Sequence, residues 1–389
     1  MVDSVTYRHN TPVVGRIDGE PNGFEDRTDC TLSWVDGTRT LTLTGTYTFW
    51  SNGEQFTATN DSFQIGDVEG SHFVYYDGTG TLAEIDSFSL DLIQTYCLVA
   101  YVTWDATNGT AVPGAVNEQH GMSMSSDTHG YLHTTIGAAY DEGLALTIVD
   151  SAGSGDDDDH ARFSSAAGQT RDEDITHTIT AHGTTDNLPV LWRDGANGNW
   201  RMNASDEFAV IKGTNRAYWN EWTGATWQRS EATQNDYVLA HIFAVPGITP
   251  ATGYVVAIMG QAEYNSQNDA RAGAETELFA LQLAGLPSAE FMTAGSIIFQ
   301  TGTGNSNAVA SRIRTTDSGD DYVDWRFVRT GVGGASASVA WGDITGTPGD
   351  QLDLIAGNVP YDNAASGLTA TEVQSALDEI EARVEELEP

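Results

Sequence analysis

The sequence predicts a mainly β, multidomain protein that ends in one short helix. Two observations predict the strands. Apolar and polar residues alternate with a period of two from Thr40 to Thr44, and other apolar runs of strand length are bounded by turn signals such as Asp77-Gly78. A third observation predicts the helix, because apolar residues near the C-terminus recur at alternating spacings of four and three. We therefore expect β-sandwich-like modules with one internal helix, followed by a short trimeric coiled-coil helix.

The N-terminal half divides into three segments. Residues 1–27 are polar and contain Gly and Pro, which is typical of an extended attachment arm. Strand-like runs in residues 28–110 predict a small β domain. Residues 111–170 are rich in Gly and His and include the acidic run DDDD, so they indicate a connector and an acidic linker.

The C-terminal half begins with a second β-rich domain over residues 171–330. Its strand candidates are four apolar runs: 237–245, 254–260, 296–300 and 322–328. Residues 331–366 combine a Gly/Ser linker with the short segment WGDITGTPGDQLDL. Residues 367–389 form the closing helix.

One helix interrupts the strands of the second β-rich domain. Ser266 is a good N-cap, and Asp269 follows at the third helical position. An apolar face then recurs at helical spacing, through Ala270, Ala274, Leu278 and Leu281.

The closing helix carries a heptad pattern. Its apolar stripe has five members: Val373, Leu377, Ile380, Val384 and Leu387. Thr369 and Glu372 form a capping box that begins the helix. Arg383 and Glu388 lie where parallel neighbours could form an ion pair, and Leu at a with β-branched residues at d favours three or more strands. The alternative is a terminal helix that packs on its own domain.

The composition indicates a protein from a halophilic source. The 389 residues include 55 acidic and 17 basic side chains, for a formal net charge of −38, and Lys212 is the only lysine. Such self-repulsion is tolerated when salt screens it. Hydrophobic residues make up 40% of the chain, which argues against a disordered acidic protein. Nucleic-acid binding is not expected, because it needs a basic surface.

No enzyme motif is found. Lys212 is preceded by Ile211, so no phosphate-binding loop ends there, and neither a nucleophile elbow nor a zinc-protease helix motif occurs. No apolar run is long enough to cross a membrane, and no secretory signal is visible, so we expect neither membrane insertion nor export by that route. Cys30 and Cys97 fit no metal or redox spacing, and a bridge between them is unsupported.

Histidines and acids suggest two places for a metal ion. The stretch EQHGMSMSSDTHGYLH brings His120, His129 and His133 together, and imidazole with carboxylate suits a transition metal. The alternative is a set of packed and hydrogen-bonded histidines in a connector. Asp156 and Asp158 belong to the acidic run, which could attract divalent cations or form a solvated loop, but which lacks the EF-hand pattern. We expect no cofactor; structural divalent cations are compatible with these side chains, and the named candidates are His129, His133, Asp156 and Asp158.

Aromatic residues are dense between residues 192 and 227, among Gly and Asn. Such residues on β-rich loops are suited to sugar or receptor contact, and they are also ordinary core residues of a β protein. The candidate contact residues are Trp192, Trp200, Trp219, Trp222 and Trp227.

Two C-terminal segments resemble tail-fibre proteins of tailed viruses. WGDITGTPGDQLDL, Trp341 to Leu354, is similar to a short segment common in those proteins, and VPYDNAASGLTATEVQSALDEIEARV, Val359 to Val384, is similar to one that precedes or forms a trimeric coiled coil. Upstream, LPVLWRDGANGNWR and RTDCTLSWVDGTRTLTLT resemble β-rich modules of virion structural proteins.

The resemblance implies a homotrimeric tail-fibre or baseplate-associated subunit, with no catalytic residues, that assembles in the host cytoplasm. The acidity adds the expectation of a virus of a halophilic archaeon. The expected partners are two further copies of the chain, other virion tail or baseplate proteins, and a host-surface glycan or S-layer. The alternatives are a capsid-attached spike or turret, a fibre that degrades surface glycan, and a host cell-surface protein; the missing signal argues against the last.

Overall fold

The computed structural model describes residues 21–316 and 319–327. Within these residues the protein is mainly β, with several sheets and three α-helices, which confirms the predicted β class. Residues 1–20 of the predicted arm, the linker 331–366 and the closing helix lie outside the described residues.

Eight strands make up the first part of the chain, and they form two four-stranded sheets. They are β1 (Gly23–Phe24), β2 (Cys30–Val35), β3 (Thr40–Ser51), β4 (Glu54–Gln64), β5 (Gly70–Tyr76), β6 (Leu82–Ile85), β7 (Cys97–Asp105) and β8 (Thr110–Asn117). β3 pairs with β1, β2 and β4, and the second sheet has the order β6-β5-β7-β8. The short helix α1 (Asp91–Gln94) precedes β7.

The two N-terminal sheets share one core. β3 alternates as predicted, with Leu41 and Leu43 buried between partly exposed threonines. Its buried residues meet Val74 and Tyr76 of β5 and Trp104 of β7. Burial of these large side chains is the main favourable contribution to the stability of this part of the chain.

The segment predicted as a connector contains regular structure. It holds the helix α2 (Ser126–Thr135), which the sequence analysis did not predict. Five short strands follow: β9 (Ala139–Gly143), β10 (Leu146–Ile148), β11 (Phe163–Ser165), β12 (Gly168–Asp172) and β13 (Ile175–Ile179). β12 lies between β9 and β13 in a three-stranded sheet, and β10 pairs with β11.

The remaining strands form a seven-stranded sheet and one separate hairpin. They are β14 (Val190–Asp194), β15 (Asn199–Asn203), β16 (Tyr218–Trp222), β17 (Trp227–Glu231), β18 (Tyr237–Val245), β19 (Tyr254–Tyr264), β20 (Met292–Thr301), β21 (Ser311–Arg314) and β22 (Val323–Asp324). The large sheet has the order β15-β14-β19-β18-β20-β21, with β22 also paired to β20. Its pairs are antiparallel except β14 with β19, and β16–β17 is the hairpin.

The central strand β18 separates two cores. Val238, Ala240 and Ile242 face one core, whereas Leu239 and Phe243 face the other. The helix α3 (Gln267–Ala280) covers the second core. A strand buried on both faces is a nearly continuous apolar run, and the sequence predicts β18 at its observed bounds although His241 interrupts that run.

The internal helix matches its prediction. The Ser266 side chain accepts a hydrogen bond from the backbone N–H of Asp269 at 3.1 Å, so the predicted N-cap is confirmed. Ala270, Ala274 and Leu278 are buried in the second core, as the helical spacing indicated.

Candidate functional site

Nine buried or largely buried histidines and carboxylates gather in one place, which we call the histidine–carboxylate cluster. Its members are Glu118, His120, His129, His133, Asp172, Glu173, Asp174, His177 and Glu290. They come from the segment after β8, from α2, from the β12–β13 hairpin and from a 3-10 helix that follows α3. Segments far apart in the sequence therefore build this cluster.

Glu118 and His120 are fixed by the backbone that follows β8. The Glu118 N–H donates to the carbonyl of Val99 at 3.0 Å, and the His120 carbonyl accepts from the Phe24 N–H at 2.9 Å. Gly23 permits this approach: it has φ of +96°, and a Cβ there would lie 2.8 Å from the His120 carbonyl oxygen. The strand β1 thus holds the His120 backbone in place.

The helix α2 contributes two histidines from one face. Its N-cap Ser125 accepts a hydrogen bond from the Thr128 N–H at 3.3 Å. His129 and His133 are one turn apart, so both point into the cluster, whereas Asp127 is exposed. The His129 ring centroid lies 4.3 Å from that of His120.

The two-residue turn of the β12–β13 hairpin supplies adjacent carboxylates. Asp172 pairs with Ile175, which leaves Glu173 and Asp174 as the turn. Glu173 has φ of +42°, a left-handed conformation that costs a residue other than glycine about 1–2 kcal/mol, and its side chain is only 1% exposed. Residues with backbone strain of this kind occur often at functional sites.

The His120 ring is oriented by Asp174. Its Nδ1–H donates to Oδ1 of Asp174 at 2.8 Å, while Oδ2 of that carboxylate accepts from the Gly121 N–H at 2.9 Å. The Nε2 atom therefore faces the cluster. It lies 3.7, 3.6 and 3.8 Å from carboxylate oxygens of Glu118, Asp172 and Glu173, respectively, which is too far for hydrogen bonds.

Burial and the charges of neighbouring groups strongly shift the pKa values of the side chains in this cluster. Burial raises the pKa of Glu118 to about 7 and that of Glu173 to about 10, the latter with help from the Asp172 charge. Burial and the neighbouring His120 charge lower the pKa of His129 to about 3. Burial alone would lower the pKa of His120, but its carboxylate neighbours raise it well above the ordinary value. Burial alone would raise the pKa of Asp172, but the His120 charge lowers it. Perturbation of this extent is typical of functional sites.

Among the described residues, two overlapping sets in the cluster could hold a metal ion. One set is His120, His129 and Glu173, and the other is Glu118, His120 and Asp172; within each set the ligand atoms lie within 4.8 Å of one another. A cavity of about 10 Å³ lies beside them, lined in part by Glu118, His120 and His129. That volume is enough for about one water molecule or ion.

The predicted histidines lie in or beside these sets, whereas the predicted acids do not. His129 belongs to one set, and His133 borders it, with Nδ1 3.4 Å from Oε1 of Glu290. Asp156 is 71% exposed at its side chain and accepts from the Ser154 hydroxyl. Asp158 accepts from the Ala308 N–H at 2.7 Å. Neither aspartate belongs to either of the two sets.

The five tryptophans predicted to contact a sugar or receptor differ in how deeply they are buried. Trp192, Trp200 and Trp227 are buried, Trp219 is half-buried, and Trp222 is 46% exposed. Three of the five therefore contribute to packing, and Trp222 presents the largest exposed surface among them.

Arginine side chains cover the buried tryptophans. The Arg229 guanidinium lies over Trp192, 4.3 Å from the ring centroid, and the Arg193 guanidinium lies within 5.7 Å of both the Trp200 and Trp227 centroids. Trp200 also lines a second cavity, of about 170 Å³, together with Glu69, Thr103, Trp104, Arg193, Asn197 and Asn199.

The predicted trimerisation residues, from Val373 to Glu388, lie outside the described residues. Cys30 and Cys97 are buried free thiols. In the part of the chain that the structure describes, no helix combines the length and apolar character needed to cross a membrane.

No protein-family model, curated protein or solved structure matches this chain.

Proposed function

We propose that this chain is a structural virion protein, a homotrimeric tail-fibre or baseplate-associated subunit that attaches the virus to a halophilic host. The observation that carries the proposal is the resemblance of two consecutive C-terminal segments, residues 341–354 and 359–384, to tail-fibre proteins. The mainly β fold of the described residues is compatible with that class. The acidic composition supports a host that lives in high salt.

The proposed role is adhesion rather than catalysis. A glycan-degrading fibre would need paired carboxylates in a groove that admits a sugar chain. The buried carboxylates of the cluster adjoin a cavity of about 10 Å³, which is far too small for a sugar ring. A capsid-attached spike or turret is the alternative position, and labelling of virions with antibodies against this chain distinguishes the two.

The proposed architecture has two further parts. The first two sheets form a β-sandwich-like module, supported by the single core to which both contribute. Residues 367–389 form a trimeric coiled-coil helix, supported by the heptad stripe.

Removal of residues 367–389 is expected to lower the solution mass of the full chain from that of a trimer. Ile380→Asp should act in the same direction, because each trimer would bury three charges in one layer. Light scattering in multi-molar salt measures this mass. Glu379→Gln, at an outer position of the heptad between the stripe residues, is the control and should leave the trimer intact. A full-length monomer would contradict the proposed assembly.

Trp222→Ala is expected to reduce binding of the labelled protein to haloarchaeal cells while leaving its circular dichroism unchanged. Trp222 ends β16 next to the hairpin turn, and an exposed aromatic ring is suited to stacking on sugars. Tyr131→Ala is the matched control, because Tyr131 is 64% exposed on α2. Equal binding by wild type and Trp222→Ala would show that this hairpin does not touch the host.

A further inference from the structure

Several polar atoms of the histidine–carboxylate cluster are buried without a hydrogen-bond partner among the residues that the structure describes. They include Oε2 of Glu118, Nε2 of His120, Nε2 of His129 and both carboxylate oxygens of Asp172 and of Glu173. Each such atom loses its water without a replacement, which destabilises the fold. Native proteins rarely leave so many unpaired polar atoms together, and a bound ion is one established reason for it.

The cluster also brings several carboxyl groups together with few basic side chains. Five carboxylates contribute to it, those of Glu118, Asp172, Glu173, Asp174 and Glu290. Among the described residues, Arg27 is the one arginine that forms an ion pair with any of them, at 3.1 Å from Asp174. Buried carboxylates are stable when they are paired or when they coordinate a metal.

The spacing of the unpaired atoms fits a coordination shell. Ligands bonded at about 2.0–2.2 Å to a tetrahedral ion lie roughly 3.3–3.6 Å from one another. The distances from His120 Nε2 to three carboxylate oxygens are 3.6–3.8 Å, close to that spacing and longer than hydrogen bonds. We propose that the cluster binds one divalent transition-metal ion of the zinc class. The ligands are His120 and His129 with Glu173, completed by Asp172 or Glu118.

The ligand types select the class of ion. Calcium and magnesium prefer oxygen alone, whereas two imidazoles with carboxylates suit zinc and similar ions. Asp174 is the positioning residue, because its hydrogen bond to Nδ1 directs Nε2 of His120 to the ion. The ion ties together the end of β8, α2 and the β12–β13 turn, so its role is structural. This inference does not depend on the proposed viral function.

The first experiment uses the full chain in multi-molar salt, stripped by a chelator and then dialysed. Zn²⁺ is added, and bound metal per chain is measured by mass spectrometry together with the thermal midpoint. We expect one tightly held Zn²⁺ per chain and a higher midpoint, with no such midpoint increase on addition of Ca²⁺. Failure to retain Zn²⁺ would overturn the proposal, as would an equal response to Ca²⁺.

Substitutions of the proposed ligands test whether the ion binds in the cluster. His129→Gln and Glu173→Gln should abolish stoichiometric retention, and Asp174→Asn should weaken Zn²⁺ binding about 10–100-fold. The matched control is Asp156→Asn with Asp158→Asn, which removes two acids outside the cluster. If that control loses Zn²⁺ as the cluster variants do, binding is nonspecific and the proposal is wrong. Should a cluster variant not fold, the visible spectrum of wild-type protein loaded with Co²⁺ decides: bands of nitrogen–oxygen coordination support the proposal, and the spectrum of aqueous Co²⁺ contradicts it.

Discussion

Dilution from multi-molar salt to about 0.1 M is expected to unfold this protein. The screening length is about 3 Å at 1 M salt and about 10 Å at 0.1 M, so repulsion reaches several neighbouring charges after dilution. The chain has 55 acidic and 17 basic residues, and several arginines among the described residues already form ion pairs. Arg162 pairs with Asp159 and Glu207, for example, and Arg201 pairs with Glu69. Most carboxylates therefore have no cation of their own, and salt is their remaining source of screening.

Circular dichroism and tryptophan fluorescence during stepwise dilution measure this transition. We expect a cooperative loss of β signal that reverses when potassium chloride is restored. Sucrose at matched osmolality is the control, because it favours burial without screening charge. A fold that is retained in low salt would contradict the halophilic interpretation of the composition.

Elements with strong local signals were predicted from the sequence. β18 is a nearly continuous apolar run, interrupted by the buried His241, and it is buried on both faces, so its bounds follow from that run. α3 has an N-cap and an apolar face, and both are used as expected. The run 322–328 was predicted as a strand but forms only the two-residue strand β22. There Trp325 is buried, and its Nε1–H donates to the Ser296 hydroxyl at 2.7 Å, so Trp325 packs without continuing the strand, whereas Phe327 is exposed.

The sequence analysis did not predict the helix α2 because the buried face of this helix is polar. The residues that it buries are Ser126, His129, Gly130 and His133. A search for apolar periodicity finds nothing in such a segment, although the histidines do recur at helical spacing. This spacing of His129 and His133, at positions i and i+4, was the available signal for the helix.

The carboxylates of the cluster could not be selected from the sequence. Asp172 and Glu173 are two of 55 acids, and no local pattern distinguishes them. Their burial depends on the pairing of β12 with β13 and on the packing of α2, which are contacts between distant segments. The sequence could suggest His129 as a ligand, but its partner Glu173 becomes visible only in the fold.

Trp104→Ala is expected to destabilise the folded protein by about 3–5 kcal/mol. Trp104 is 2% exposed in the N-terminal core, where it packs edge-on against Trp34 with ring centroids 6.2 Å apart. Its Nε1–H also donates to Asp67 at 2.9 Å. The substitution thus removes a large buried surface and leaves a cavity, since neighbouring strands held by backbone hydrogen bonds relax only in part.

The matched comparison is Trp222→Ala, the same chemical change at a position 46% exposed, for which we expect a change within about 1 kcal/mol. Urea unfolding in multi-molar salt gives both values from the shift of the midpoint. Burial is the main difference between the two sites. The difference between the two variants therefore measures how much burial in the N-terminal core contributes to the free energy of unfolding. Equal, small effects would mean that the sheets around Trp104 unfold separately from the transition being followed, and that the first eight strands are not stabilised by the core that they share.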